Sequence, residues 1–289
     1  MSPNFFIVGG SKCGTTNISY YLNSHPKIFF SKLNEPYYFC KWDIPEKYNR
    51  NSMITNIKKY LDLFKNVKNE IIVGEASSPY LSCPHAALEI KKAFPNSKIL
   101  ISIRNPIERA HSSYFSYQFM KPNEQNFMEM IKTHEKLINE KIFYIDSILE
   151  SGFYTKNIIR FQKIFGKENV KIIIFEDYIK NTAQNLNSIL NFLGINDQIN
   201  LTEQSKGSYR VPKNFLSKIL LNNKTFRKIS TILIPTVIRQ ELGDKYFLKQ
   251  VKKPKMLENE RNYLRELYND EVNELEKFLG KDLPWKDFH

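Results

Sequence analysis

The stretch that most constrains this chain is residues 5–16, FFIVGGSKCGTT. Phe5, Phe6, Ile7 and Val8 run without a polar interruption, the pattern of a short strand covered on both faces. Gly9 and Gly10 end the run, and Thr15 and Thr16 open a helical pattern carrying Ile18, Tyr21 and Leu22. A glycine-rich turn between a strand and a helix N-terminus aims several backbone N–H groups at one point. That point lies at the positive end of the helix dipole and attracts phosphate-like anions. A nucleotide-hydrolysing P-loop needs lysine directly after its last glycine. Here Thr15 follows Gly14, and the lysine, Lys12, stands two residues before that glycine. The loop is predicted to hold a phosphate-bearing ligand without being a hydrolysing P-loop.

Later apolar runs repeat the pattern of a strand followed by polar residues. Residues 71–73 lead into GEASSPY, 98–103 into Arg104-Asn105-Pro106, and 170–175 into Glu176-Asp177-Tyr178. Residues 27–30 read as a further short strand. Helical spacing is predicted around 54–64, 128–138, 158–165, 185–193 and 257–279. Strands alternating with helices over 289 residues predict one α/β domain spanning residues 1–289. Ligands gather at the carboxyl ends of strands in such sheets, which directs attention to the polar residues there.

Two carboxylates compete for attention. Glu35 follows His25-Pro26 and is held extended by Pro36. It reads either as a surface carboxylate before a turn or as a general base. Glu75 ends the second buried run and reads as an acceptor-orienting residue, a helix cap or a solvated side chain. Arg104 ends the third run, and Ser112 lies eight residues later, beyond Pro106 at the first turn of a helix. An arginine fork binds a phosphate bidentately and a serine hydroxyl adds a bond. Both reach one anion only if the helix folds back beside the strand. The alternative is that Arg104 pairs with Glu108.

Lys12, Cys13, Gly14, Thr15 and Thr16, preceded by Ser11, resemble the 5′-phosphosulfate loop of the sulfotransferases that use 3′-phosphoadenosine 5′-phosphosulfate (PAPS). Arg104 to Ser112 resembles the 3′-phosphate motif of that family. The resemblance extends over nearly the whole chain, through Gly152-Phe153-Tyr154 and the closing Trp285. It implies a P-loop-like α/β fold, a central and mostly parallel sheet between layers of helices. It implies PAPS as sulfuryl donor with no metal, bound by Ser11 through Thr16, Arg104 and Ser112. A late loop with Lys206, Gly207 and Arg210 closes over the nucleotide by the same likeness. Lys12 is implied as a catalytic cation. Glu35 stands where heparan-type and protein-tyrosine sulfotransferases keep their base. Glu75 falls in a related segment, but Ala76 replaces a lysine common in the heparan enzymes, and its implied role is toward the acceptor. That acceptor is expected to be a glycan or small hydroxylated molecule.

Two other classes stay open on these residues: a small-molecule kinase, and a non-catalytic nucleotide-binding protein. The kinase needs the displaced lysine and an Mg²⁺ site. The charge of +13 favours anionic partners, yet no nucleic-acid motif accompanies it, so no nucleic-acid partner is expected. No run of eighteen apolar residues and no leader-like pattern occurs, which predicts no membrane span and no signal peptide. Three cysteines, odd in number and without metal-like spacing, suit a reducing compartment and a cytoplasmic location.

Overall fold

The structure, a computed structural model, describes residues 1–31, 33–44, 53–120, 125–145, 147–199, 210–213, 246, 248–250 and 253–289. The strands are β1 (Phe5–Gly9), β2 (Ile28–Phe30), β3 (Ile72–Ala76), β4 (Lys98–Ile103), β5 (Val170–Ile174), β6 (Arg210–Pro212) and β7 (Leu248–Gln250). Among the described residues the helices are α1 (Thr15–Leu22), α2 (Ile57–Asp62), α3 (Ala86–Ala93), α4 (Pro106–Met120), α5 (Phe127–Asn139), α6 (Thr155–Phe165), α7 (Phe175–Lys180), α8 (Thr182–Leu193) and α9 (Glu258–Leu279).

The first five strands form one parallel sheet in the order β2-β3-β1-β4-β5. Their continuous apolar runs are explained by burial on both faces. In β1, Phe5 and Ile7 enter one core with Ile18, Leu22, Leu186 and Leu190 from α1 and α8. Phe6 and Val8 enter the other, with Ile90, Ala110, Ile158 and Leu264 from α3, α4, α6 and α9. Strand periodicity of two thus separates two helix layers on either side of the sheet. β6 and β7 pair antiparallel as a separate ribbon, with Arg210 opposite Gln250.

The chain leaves β1 toward β2 and β3 on one side, then crosses to β4 on the other. The strand order reverses between β1 and β4, and a crevice opens at such a reversal, beyond the carboxyl ends of the strands. The loop after β1 and Arg104 after β4 both emerge there.

Cysteine parity proves a poor guide. Cys40, in the 3₁₀ turn Tyr38–Cys40, and Cys83 form a disulfide with Cα atoms 5.8 Å apart, and Cys13 alone is free. An odd count says nothing about which two side chains the fold brings together. Among the described residues no helix is long and apolar enough to cross a membrane.

Candidate active site

The loop between β1 and α1 is built against β4. Ser102 Oγ donates to Cys13 O at 2.7 Å, and Ser102 O accepts from Gly10 N at 2.6 Å. Ser102 is fully buried, so both bonds form away from competing water. Gly14 caps α1 at φ +83°, and a Cβ there would lie 2.7 Å from the Phe175 ring. Both the left-handed backbone and the lack of space call for glycine. Thr15 and Thr16 begin the helix behind it, aiming its free N–H groups at the crevice. Cys13 points inward, and burial pushes its thiol up to about 11. A protonated, enclosed thiol fills space here and is no nucleophile.

Lys12 is left-handed at φ 66°, a conformation that costs energy outside glycine. It is exposed at the crevice, and its Nζ donates to Ser116 Oγ at 3.3 Å. Desolvation, and behind it the Arg104 charge, lowers the pKa of its ammonium, while the Glu35 carboxylate opposes the shift.

Glu35 belongs to the same cluster. Its backbone N–H bonds Ala76 O, which ties it to the end of β3. Ser78 Oγ donates to one carboxylate oxygen at 2.6 Å, and the Tyr37 hydroxyl donates to the other. Ser11 Oγ lies 3.0 Å from Ser78 Oγ. A chain of hydroxyls therefore runs from the anion loop to the carboxylate. Glu35 and Tyr37 are both left-handed, at φ 54° and 56°; Glu35 is thus not extended before Pro36 as expected, its N–H being tied to Ala76 O and its carboxylate to Ser78 and Tyr37. Two such residues in one short segment mark a place where geometry is held by its surroundings.

Glu75 occupies a different environment. It is 1% exposed and accepts from Tyr60 Oη at 3.2 Å. Burial pushes its carboxyl up to about 7 against the hydrogen bonds of Ser77, Tyr80 and Tyr60, and the Glu35 charge adds to the rise. The solvated reading of Glu75 is therefore not what forms: its side chain is enclosed beside Tyr60, Tyr80 and Ser77.

Arg104 Nη1 donates to Lys12 O at 3.2 Å, and its guanidinium lies 4.9 Å from the Phe175 ring centroid. The alternative pairing with Glu108 is not adopted, since Arg261 bridges Glu108 and Asp287 at 2.6 Å each. Helix α4 sends Ile107 and Ala110 into the same core as Ile101 and Ile103 of β4. Ser112 and Ser116, four residues apart, share one helix face and meet Lys253 Nζ at 3.0 Å and Lys12 Nζ at 3.3 Å respectively. Lys206 and Gly207 lie outside the described residues, and Arg210 is placed by its backbone alone, at the start of β6.

Sequence reasoning missed several members of this arrangement. Ser102 had a signal, being the one hydroxyl inside the apolar strand KILISI. Tyr154, noted only as part of the resemblance, donates to Arg104 O at 2.8 Å and contacts Cys13 Sγ at 3.8 Å, so it joins the loop to the β4–α4 turn. Ser78, Tyr37, Ser116 and Lys253 carried no local signal, because their partners come from distant segments.

The family model described as "Sulfotransferase domain" matches residues 2–229. A "Membrane-associated sulfotransferase kil1" of Dictyostelium discoideum is 32% identical over 166 residues, covering 57% of this chain and 33% of that protein. A "Bifunctional heparan sulfate N-deacetylase/N-sulfotransferase 4" of Mus musculus is 26% identical over 98% of this chain and 31% of its own length. The chain thus spans about a third of these two curated relatives. A solved sulfotransferase from Alicyclobacillus acidocaldarius superposes with a TM-score of 0.75 at 26% identity, covering 98% of both chains. The P-loop-like α/β fold that the resemblance implied is the fold found.

Proposed function

The chain belongs to the sulfotransferase domain family, and from that premise we propose that it transfers a sulfuryl group from PAPS to a hydroxyl or amine of a carbohydrate acceptor. The observation that carries this reading is the hydroxyl chain linking the anion loop to Glu35 through Ser11 and Ser78. That link between a carboxylate and the glycine loop supports the reading, since transfer to a nucleophilic hydroxyl requires a base beside the donor site.

The donor set suits a ligand with two anionic groups. The α1 N-terminus and Lys12 would hold one, and Arg104 with Ser112 the other. When bound, PAPS supplies the sulfuryl group and departs as adenosine 3′,5′-bisphosphate. Lys12 sets a positive charge at the loop, where preorganised cations and amides stabilise charge on a departing phosphate. Glu35, its two oxygens oriented by Ser78 and Tyr37, would accept the acceptor's proton. The carbohydrate acceptor is supported by the +13 charge, which suits anionic glycans, and by likeness to a protein named as a heparan sulfate N-sulfotransferase.

Incubation with ³⁵S-labelled PAPS and a panel of glycans, peptides and small alcohols tests the proposal. Label on a glycan is expected. Magnesium-dependent phosphate transfer from ATP, or donor binding with no transfer to any acceptor, would overturn it.

A further inference from the structure

We propose that Ser78 is a positioning residue that holds the hydroxyl proton of Ser11 away from the glycine loop while Glu35 is a carboxylate, and releases it once Glu35 is protonated. The proposal rests on the PAPS reading above, in which Ser11 belongs to the donor loop. Ser78 Oγ lies 2.6 Å from Glu35 Oε1 and 3.0 Å from Ser11 Oγ. Ser78 is 6% exposed, so water competes little for these bonds.

Proton counting gives the chain a direction. A hydroxyl carries one proton, and an ionised carboxylate only accepts. The Ser78 proton therefore goes to Glu35, where the charged acceptor makes the stronger bond. The bond between the two serines must then be donated by Ser11. That leaves the loop serine with only lone pairs to turn toward an anion, which they repel. A proton placed on Glu35 Oε1 reverses both bonds. Glu35 donates to Ser78, Ser78 donates to Ser11, and the Ser11 proton is free to turn toward the loop. Hydroxyl rotations suffice, and no heavy atom moves. The other carboxylate oxygen is engaged by the Tyr37 hydroxyl. Lys12 and Glu75 also feel the Glu35 charge, but through space, whether or not residue 78 bears a hydroxyl. When Glu35 takes the acceptor's proton, the loop thus gains a donor as charge gathers on the departing phosphate. Such an interaction favours the transition state over the ground state.

Calorimetry with adenosine 3′,5′-bisphosphate on the full chain at neutral pH tests the assignment. Ser78→Ala frees the Ser11 proton, so it should bind the bisphosphate more tightly than wild type. The gain should be roughly 2- to 10-fold, the worth of one added hydrogen bond, whereas loss of a merely structural serine would weaken binding. Ser78→Cys, similar in size and a much weaker donor, should tighten in the same direction and serves if alanine unfolds the segment. Ser78→Thr, which keeps the hydroxyl, should return to wild-type affinity. In a Ser11→Ala background the Ser78 changes should have no effect. Ser11→Ala alone should keep wild-type affinity while label transfer from PAPS slows roughly 10-fold. Equal or weaker binding by the folded Ser78 variants, or tightening that persists without the Ser11 hydroxyl, overturns the assignment and leaves the PAPS reading standing. Parallel loss of affinity and turnover in Ser11→Ala overturns the release on protonation. A wild type that does not bind the bisphosphate overturns the assignment and the PAPS reading together.

Discussion

Burial sorts the two carboxylates near the end of β3. Glu35 is partly exposed at the crevice with a hydroxyl donor on each oxygen, whereas Glu75 lies inside, against Tyr60 and Tyr80. A base acts on the chemical step, and the amide of glutamine keeps shape while losing the ability to take a proton. Glu35→Gln should therefore retain nucleotide affinity while kcat falls roughly 10²- to 10⁴-fold. Glu75→Gln should leave both kcat and acceptor KM near wild type, because its carboxyl is enclosed and pushed up to about 7. Steady-state kinetics on the two variants decides, and an inactive Glu75→Gln beside a normal Glu35→Gln would transfer the role. The loop motif and the Arg104–Ser112 spacing were legible because each is a local pattern. The choice between two glutamates was not, since each follows or ends a strand-like run and only the surrounding fold distinguishes them.

At the level of elements, the site is held by contacts between segments rather than within them. Glu271 of α9 accepts from Tyr154 N, Thr155 N and Thr155 Oγ1 at 2.7 to 2.8 Å, capping α6 from outside. Glu176 of α7 accepts from Asn105 N and Trp285 Nε1, fastening the C-terminal tail to the β4–α4 turn. The Cys40–Cys83 bond does the same for the Glu35 side of the crevice, joining residues 43 apart in the chain. Closing a loop of that length restricts the unfolded chain and stabilises the fold by about 4 kcal/mol. Replacing both cysteines by alanine should lower unfolding free energy in urea by roughly that amount; an unchanged midpoint would show that the two thiols are not bonded.

For the molecule as a whole, acid stability has an identifiable contributor in His134 of α5. It is 5% exposed, and its Nδ1 accepts from Ile148 N at 2.9 Å. Burial pushes its pKa down to about 4, against about 6.5 when unfolded. The unfolded chain therefore binds the extra proton between those values, so stability is full above about pH 6.5 and declines as pH falls toward 4. The loss from this group between pH 7 and pH 5 is about 2 kcal/mol. His134→Gln, which keeps an acceptor but cannot be charged, should flatten that part of the profile in denaturant titrations at the two pH values. Identical pH dependence in both proteins would count against it. Short-range pattern in the chain is enough to dictate buried strands from unbroken apolar runs, an anion loop from glycines before a helix, and an arginine at a strand end. These depend on backbone conformation and periodicity within a dozen residues. Tertiary structure alone decided which glutamate faces the crevice, which cysteines join, and that a lysine 141 positions beyond Ser112 stands beside it. Each of these depends on distance in space and on burial, and neither is encoded in the spacing along the chain.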